Sequence, residues 1–339
     1  MGSVQVSAAV GSDRVRARSA LIEALRGPAA GQKLGLIVSL AVLCVVASSL
    51  SGAFFTSANA VNVARAVALI GIVSIGQTIV LLCGGIDLSV GAVAAVAGVV
   101  LVETQSLGLP LAIVLALASG VAVGAFHGVV TVRTGINSLI VTLATMTALR
   151  GAVDVVTNGF PLPINSQTLT NDLWTTVAGI PVPALICAGL MLLGYVVLSW
   201  TAFGTALYAT GGNRQAASEA GIRVGRTTIL AFVLSGLCAA IAGVLLAARF
   251  GSAAADAGTG WELLSIAAVV IGGTSLTGGR GDLVGTVLGV VLLGVISNAM
   301  DLLGINSFYQ QIVQGALILI AVGASTLRQR MDARGGAHA

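Results

Sequence analysis

Few residues in this chain could carry chemistry, and the most informative of them stand together. Leu82-Cys83-Gly84-Gly85-Ile86-Asp87-Leu88-Ser89-Val90-Gly91 sets a carboxylate and a hydroxyl between two apolar stretches. A carboxylate at the centre of a membrane helix costs on the order of 3 kcal/mol. Asp87 therefore belongs at a span end or a helix start, accepting from first-turn amides after a sharp turn that paired glycines permit. Direct contact of Asp87 and Ser89 with a solute is the alternative. Cys44, Cys83, Cys187 and Cys238 each stand alone in apolar sequence, without Cys-x-x-Cys spacing or a histidine at ligand spacing. They read as small packing residues, and no metal site is expected. His127 and His338 are isolated, the first as a packed span residue, and neither His-Glu-x-x-His nor Gly-x-Ser-x-Gly occurs. Gly-x-x-x-x-Gly-Lys-[Ser/Thr] is absent as well, and Lys33 is the only lysine, so nucleotide phosphates have no cradle of the usual kind.

Those residues must be positioned by elements that live in lipid. Of 339 residues, 57% are hydrophobic and 8% charged, against roughly 25% charged in soluble domains. The apolar mass is Ala, Val, Leu and Ile with 45 glycines and only 4% aromatics, a composition for closely packed membrane helices. A transmembrane barrel would show short alternating segments with aromatic girdles, whereas these apolar runs are long and continuous. The formal charge of +4 comes from basic residues dispersed among apolar runs, which lack the aromatic interleaving of a nucleic-acid surface. No nucleic-acid partner is expected.

About 20 apolar residues span ~30 Å of hydrocarbon, and ten candidates fit: 34–55, 66–83, 88–105, 109–131, 137–157, 180–200, 227–248, 263–277, 283–301 and 308–326. The fold expected is all-α and polytopic, with a permease-like membrane domain over 34–326 between tails 1–33 and 327–339. The weakest span is 263–277, interrupted by Gly272-Gly273-Thr274-Ser275. With the N-terminus inside, 13 of the 16 basic residues fall on the cytoplasmic side, as the positive-inside rule requires. Arg65, Arg150 and Arg249 are the exceptions, and Asp154 lies one turn beyond Arg150, close enough to neutralise it in part. Without span 263–277 as a crossing, Arg328, Arg330 and Arg334 would fall outside.

Two internal echoes point in different directions. Gly135-Ile136-Asn137-Ser138 returns as Gly304-Ile305-Asn306-Ser307 five crossings later, the pattern of an inverted repeat. Gly84-Gly85 with Val90-Gly91 returns as Gly278-Gly279 with Val284-Gly285 six crossings later, which is a parallel relation. The four-residue identity favours the inverted repeat.

The longest polar stretch assigned to the cytoplasm lies in 201–226. Asn213 is a good N-cap for the alanine-rich run after it, and Gly221 a plausible stop. A short helix there offers a docking surface for a soluble partner. The polar residues placed within spans or at their ends are candidates for lining a path: Gln77, Asn137, Ser138, Thr142, Asn298, Asn306, Gln310, Gln311 and Gln314. For each the alternative is an interhelical hydrogen bond, worth about 0.6 kcal/mol on average. Gln310 and Gln314 share a face at i, i+4 spacing, and neutral amides suit hydroxyl-rich solutes.

Together, Gly-Gly-Ile-Asp-Leu-Ser-Val-Gly at 84–91 and Phe-Gly-Thr-Ala-Leu-Tyr-Ala-Thr-Gly-Gly-Asn at 203–213 carry a specific likeness. So do Gly-Gly-Thr-Ser-Leu-Thr-Gly-Gly-Arg-Gly at 272–281 and Gln-Gln-Ile-Val-Gln-Gly at 310–315. The chain resembles, from Ala53 to Arg328, the permeases of bacterial ABC importers for ribose, xylose, galactose and related sugars. The resemblance implies a type II importer-like dimer of ten-span subunits, of identical or different chains, in the bacterial inner membrane with both termini cytoplasmic. It implies cytoplasmic ATPase subunits that carry ATP and Mg, no cofactor in this chain, and an extracytoplasmic solute-binding protein. Within the loop, Gly211, Gly212, Asn213, Arg214, Ala216, Ala217, Glu219, Gly221 and Ile222 would seat a coupling helix in the ATPase. Cys83 departs from the pattern, where Thr or another small residue is expected.

Branched-chain amino acid and autoinducer permeases are the near alternatives. From another class, Gly279-Arg280-Gly281-Asp282 matches the Gly-x-Gly-Asp element of intramembrane aspartyl proteases, with Asp87 as the imagined second acid. Such a dyad needs two acids sharing a proton, yet Asp282 follows Arg280 in what reads as a cytoplasmic turn. A secondary transporter or channel would show paired ionisable groups deep in the spans, and only Arg150 with Asp154 comes close.

Overall fold

The computed structural model describes residues 28–165, 167–306, 308–320 and 323. Most of both tails, and the end of the tenth expected span, lie outside the described residues. The helices are α1 Pro28–Leu50, α2 Ser57–Leu82, α3 Val90–Glu103, α4 Leu109–Thr134, α5 Ser138–Thr157, α6 Gln167–Trp174, α7 Val182–Trp200, α8 Ala202–Gly212, α9 Arg214–Glu219, α10 Val224–Phe250, α11 Trp261–Ile271, α12 Leu283–Leu302 and α13 Phe308–Ile320. Two antiparallel pairs of two-residue strands complete it. β1 Leu162–Pro163 pairs with β4 Ser252–Ala253, and β2 Thr176–Val177 with β3 Ile180–Pro181. The architecture is all-α and polytopic, since apolar runs in lipid satisfy their backbone groups within each helix.

Every one of the ten expected segments meets an apolar helix, and among the described residues seven of these helices are long and apolar enough to cross a bilayer. α3 and α11 are shorter, and α13 is described only as far as Ile320. α3 has 14 residues and α11 has 11, or about 21 and 16 Å at the α-helical rise. Both are cut short by glycine. α3 begins only after the non-helical stretch 84–89, and α11 ends at Gly272, where the chain turns through Gly273 at φ 103°.

The core is α2 and α10, buried nearly all round in their inner halves and wrapped by α3, α4, α7, α11 and α12. Gly120, Gly124 and Gly128 line one face of α4, and each brings the α10 backbone into contact. A Cβ at Gly128 would sit 2.6 Å from Cα of Ile229. This is the small-residue spacing by which membrane helices approach closely. α1, α5 and α7 turn mostly exposed apolar faces outward, as helices bordering lipid do.

Candidate coupling and translocation site

α8 and α9 occupy the polar stretch at one end of the bundle. Thr201 caps α8 by accepting from the Gly204 amide, and Asn213 Oδ1 accepts from the Ala216 amide at 3.0 Å to start α9. Gly221, at φ 83°, ends it, with the Ile222 amide returning to the Ala217 carbonyl at 3.0 Å. The helical pair is therefore set by local chemistry: a cap, an alanine-rich turn and a left-handed stop.

Its connection to the rest of the molecule is a meeting of three glycine pairs. The Gly279 amide donates to the Leu82 carbonyl at 3.0 Å. A Cβ at Gly211 would overlap that same carbonyl and sit 2.6 Å from the Gly279 nitrogen. One at Gly278 would sit 2.8 Å from Cα of Gly84, and one at Gly279 2.6 Å from Cα of Gly212. The end of α2, the end of α8 and the turn before α12 thus touch backbone to backbone, with no side chain between them. Gly278 and Gly279 hold φ of 91° and 70°, a region that favours glycine. The parallel echo has a physical counterpart, because Gly84 and Gly278 pack on each other.

Hydrogen bonds tie the same junction. Tyr208 Oη donates to the Gly281 carbonyl at 3.0 Å. Burial, with the Asp282 carboxylate nearby, pushes the phenol above its ordinary pKa and keeps it a donor. Arg214 Nη2 donates to Thr228 Oγ1 at 3.0 Å, and Thr228 lies 3.6 Å from Cys83 Sγ, so α9, α10 and α2 are joined in one line. Asp282 caps α12 by accepting from the Gly285 amide at 2.8 Å and pairs with Lys33 at 2.8 Å. Arg214 therefore acts inward here, while Glu219 bonds Gln215 on the exposed face of α9 and Ala217 is buried beneath it. Gly212, unlike Gly211, faces open space.

Asp87 is buried, and its partners are specific. Oδ1 accepts from the Ser89 amide at 2.9 Å and hydroxyl at 2.6 Å, and Oδ2 from the Ser235 hydroxyl of α10 at 2.8 Å. The carboxylate closes a local turn and bolts it to the core, while Ser89, as N-cap of α3, makes no side-chain cap bond. The extended backbone around it is satisfied from α5: Ser138 Oγ accepts from the Ile86 amide and Thr142 Oγ1 from the Leu88 amide, each at 3.1 Å. Non-helical backbone at membrane depth is stable only when protein groups satisfy it. Asp87 and Asp282 are each held by their own partners, with no carboxyl–carboxyl hydrogen bond between them among the described residues.

The other path candidates scatter. Asn137 caps α5 through the Leu139 amide, and Asn306 accepts from the Phe308 amide, both at 2.9 Å. Asn298 forms a reciprocal amide pair with Asn59 at 2.8 and 2.9 Å. Gln310 donates to Asp301 at 2.7 Å. Gln311 is exposed and Gln314 half-buried on α13. Among the described residues, Gln77 is fully buried in α2 with no hydrogen-bond partner for its amide, and His127 is buried with both ring nitrogens unpartnered and its ring edge-on to Phe232. The two halves of the four-residue echo share one local geometry, a left-handed glycine (Gly135 at φ 73°, Gly304 at 69°) followed by a capping asparagine.

The arginines that fall outside the cytoplasmic count have structural tasks at the opposite end of α10. Arg65 donates to the Trp174 carbonyl at 2.7 Å and covers its ring, and Arg249 stacks on the same ring from 5.6 Å. Arg150 keeps Asp154 as an electrostatic neighbour, after Glu262 and Asp256, and its hydrogen bonds go to backbone. Its Nη1 donates to the carbonyls of Ala255 and Ala257, fixing the loop before α11.

Among the described residues, seven long apolar helices define a multi-pass membrane protein, with a capped helical pair at one end and buried backbone breaks beside it. Residues 59–322 match the family described as branched-chain amino acid transport system / permease component, and the chain belongs to that family. Among its relatives, ribose import permease protein RbsC of Escherichia coli K12 is 40% identical over 86% of this chain and 93% of its own length. RbsC of Bacillus subtilis strain 168 is 41% identical over 86% and 92%. L-arabinose transport system permease protein AraH of E. coli K12 is 37% identical over 87% and 91%. No solved structure shows a significant match. The chain is thus the permease component of a transport system, a translocation subunit and not a catalyst, and such a permease works with ATPase and binding-protein partners.

Proposed function

We propose that this chain is the membrane subunit of an ATP-driven importer that brings a monosaccharide into the cytoplasm. The observation that carries the substrate class is identity near 40% along almost the whole length to permeases named for ribose and arabinose. The family description favours a second reading, a branched-chain amino acid as solute.

In the proposed mechanism both termini and the pair α8–α9 face the cytoplasm, and α9 sits in a cleft of an ATPase that binds ATP and Mg. Closure of two ATPases pushes α9. The glycine junction passes that movement to Leu82–Gly85, where the chain leaves α2, and to Gly278–Asp282, the turn before α12. A second permease chain completes the path, and an extracytoplasmic binding protein delivers solute.

Reconstitution in vesicles with the ATPase and binding protein tests this. Uptake of D-ribose or L-arabinose should require ATP, and uptake of L-leucine alone would favour the second reading. Replacing Gly212 and Asn213 by bulky residues should abolish uptake with membrane insertion intact. Normal ATP-driven uptake by that double variant would remove the coupling role of α9.

A further inference from the structure

At the end of α10 farthest from α9, the structure holds a cavity of about 530 Å³, within the size range of small-molecule sites. Its floor is the tight crossing of α3 and α10, where a Cβ at Gly243 would lie 2.7 Å from Cα of Ala94. Its wall is the loop 252–259, and that wall is fastened from three sides. β4 pairs with β1, and the Ile164 amide donates to the Gly251 carbonyl at 2.8 Å. Arg150 holds the carbonyls of Ala255 and Ala257 from within the bundle. Gly258 packs on Gly91 at the start of α3.

Polar groups converge on this space. Thr259 bonds back to the Asp256 carbonyl through its amide at 3.1 Å and its hydroxyl at 2.6 Å. The resulting turn presents the Asp256 carboxylate, which makes no ion pair among the described residues, at the cavity edge. Arg249 lines the same cavity, with its guanidinium over the rings of Trp174 and Phe250 at 5.6 and 5.2 Å. Stacking occupies the plane and leaves the N–H edge as donor. Trp261 adds an aromatic wall beside Gly258.

We propose that this cavity receives the monosaccharide on the extracytoplasmic face, with Asp256 accepting from its hydroxyls, Arg249 donating to them and Trp261 lying against its C–H surface. The inference rests on the sugar reading above and on the orientation that places α9 inside. The chemistry suits a polyhydroxylated ring: Asp256 and Thr259 offer acceptors and Arg249 a donor edge in one cavity whose floor is mainly alanine and glycine. The floor helix α3 also runs from the cavity back to Asp87 and the glycine junction, so an occupied cavity and a moved α9 act on the same element.

The test uses the assembled permease and ATPase in nanodiscs, without binding protein. A maleimide is reacted with Thr259→Cys and, as a control exposed at the same end, Leu107→Cys. Millimolar D-ribose or L-arabinose, whichever the wild-type importer transports, should slow labelling at Thr259→Cys several-fold and leave Leu107→Cys unaffected. Asp256→Asn should raise KM for uptake about tenfold with little change in maximal rate, as expected when a charged acceptor is neutralised. A transported sugar that leaves Thr259→Cys labelling unchanged overturns the cavity assignment while the transport reading stands. Protection by L-leucine and not by sugars overturns the ligand class. Absence of any monosaccharide uptake by the wild type, seen before labelling begins, defeats the reading beneath the inference and the inference with it.

Discussion

Asp87 shows how one residue can be expensive and still structural. Its carboxylate accepts three hydrogen bonds, two from Ser89 and one from Ser235, and those bonds offset the cost of burying a charge. Asp87→Ala leaves three buried donors without an acceptor, at about 1–3 kcal/mol for each group left unpaired. A clear fall in thermal midpoint in detergent should follow, and Asp87→Asn, which keeps one acceptor oxygen, should lose less. Equal midpoints for wild type and Asp87→Ala would contradict this account. The paired glycines of the coupling loop differ at the same scale. Gly211→Ala drives a methyl into the Leu82 carbonyl, whereas a methyl at Gly212 meets open space. ATP-driven uptake should collapse in the first variant and persist in the second, and equal uptake by the two would disprove a close-packed junction.

At the scale of elements, two kinds of contact do different work. α4 and α10 are locked by Gly120, Gly124 and Gly128, whose missing side chains let backbones touch along several turns. Gly124→Leu should wedge this crossing open, and overpacking of that kind costs about 1–3 kcal/mol or more. Loss of folded protein on heating in detergent would register it, and unaltered thermal stability would show that the interface is looser than described. α8 and α9 are instead held by caps and by the junction, with Glu219 and Gln215 left exposed. The bundle is thus locked within, while the proposed coupling pair at its end stays accessible.

Across the whole molecule, the two ends of α10 carry different chemistry. One end has Arg214, Tyr208 and the glycine junction. The other has Arg65 and Arg249 clasping Trp174, and Arg150 fixing the loop before α11. The 27 residues of α10 separate them by about 40 Å, enough to pass through a bilayer. Cysteines at Asn213 and at Leu107 should therefore react with an impermeant maleimide from opposite sides of sealed vesicles, Asn213→Cys from the cytoplasmic side. Labelling of both from one side would defeat the orientation and every role assigned through it.

The one-dimensional pattern by itself determined the solvent, the helical class and the ten apolar segments, because hydrocarbon length and backbone satisfaction leave a run of apolar residues little choice. It also placed the α9 cap at Asn213 and stop at Gly221, since both act over three or four residues. It marked 263–277 as the weakest span and read Gly84-Gly85 as a sharp turn, but it did not give the lengths of α3 and α11, which depend on where neighbouring backbones let a helix continue. Nor did residue type say that Asn298 pairs with Asn59, that Ser138 and Thr142 serve the backbone of 86–88, or that Arg150 gives its hydrogen bonds to two carbonyls more than 100 residues away. Those partners are distant in sequence. Only the tertiary structure decided them, because a polar group in lipid takes whichever partner packing brings within reach, and packing is a property of the folded chain.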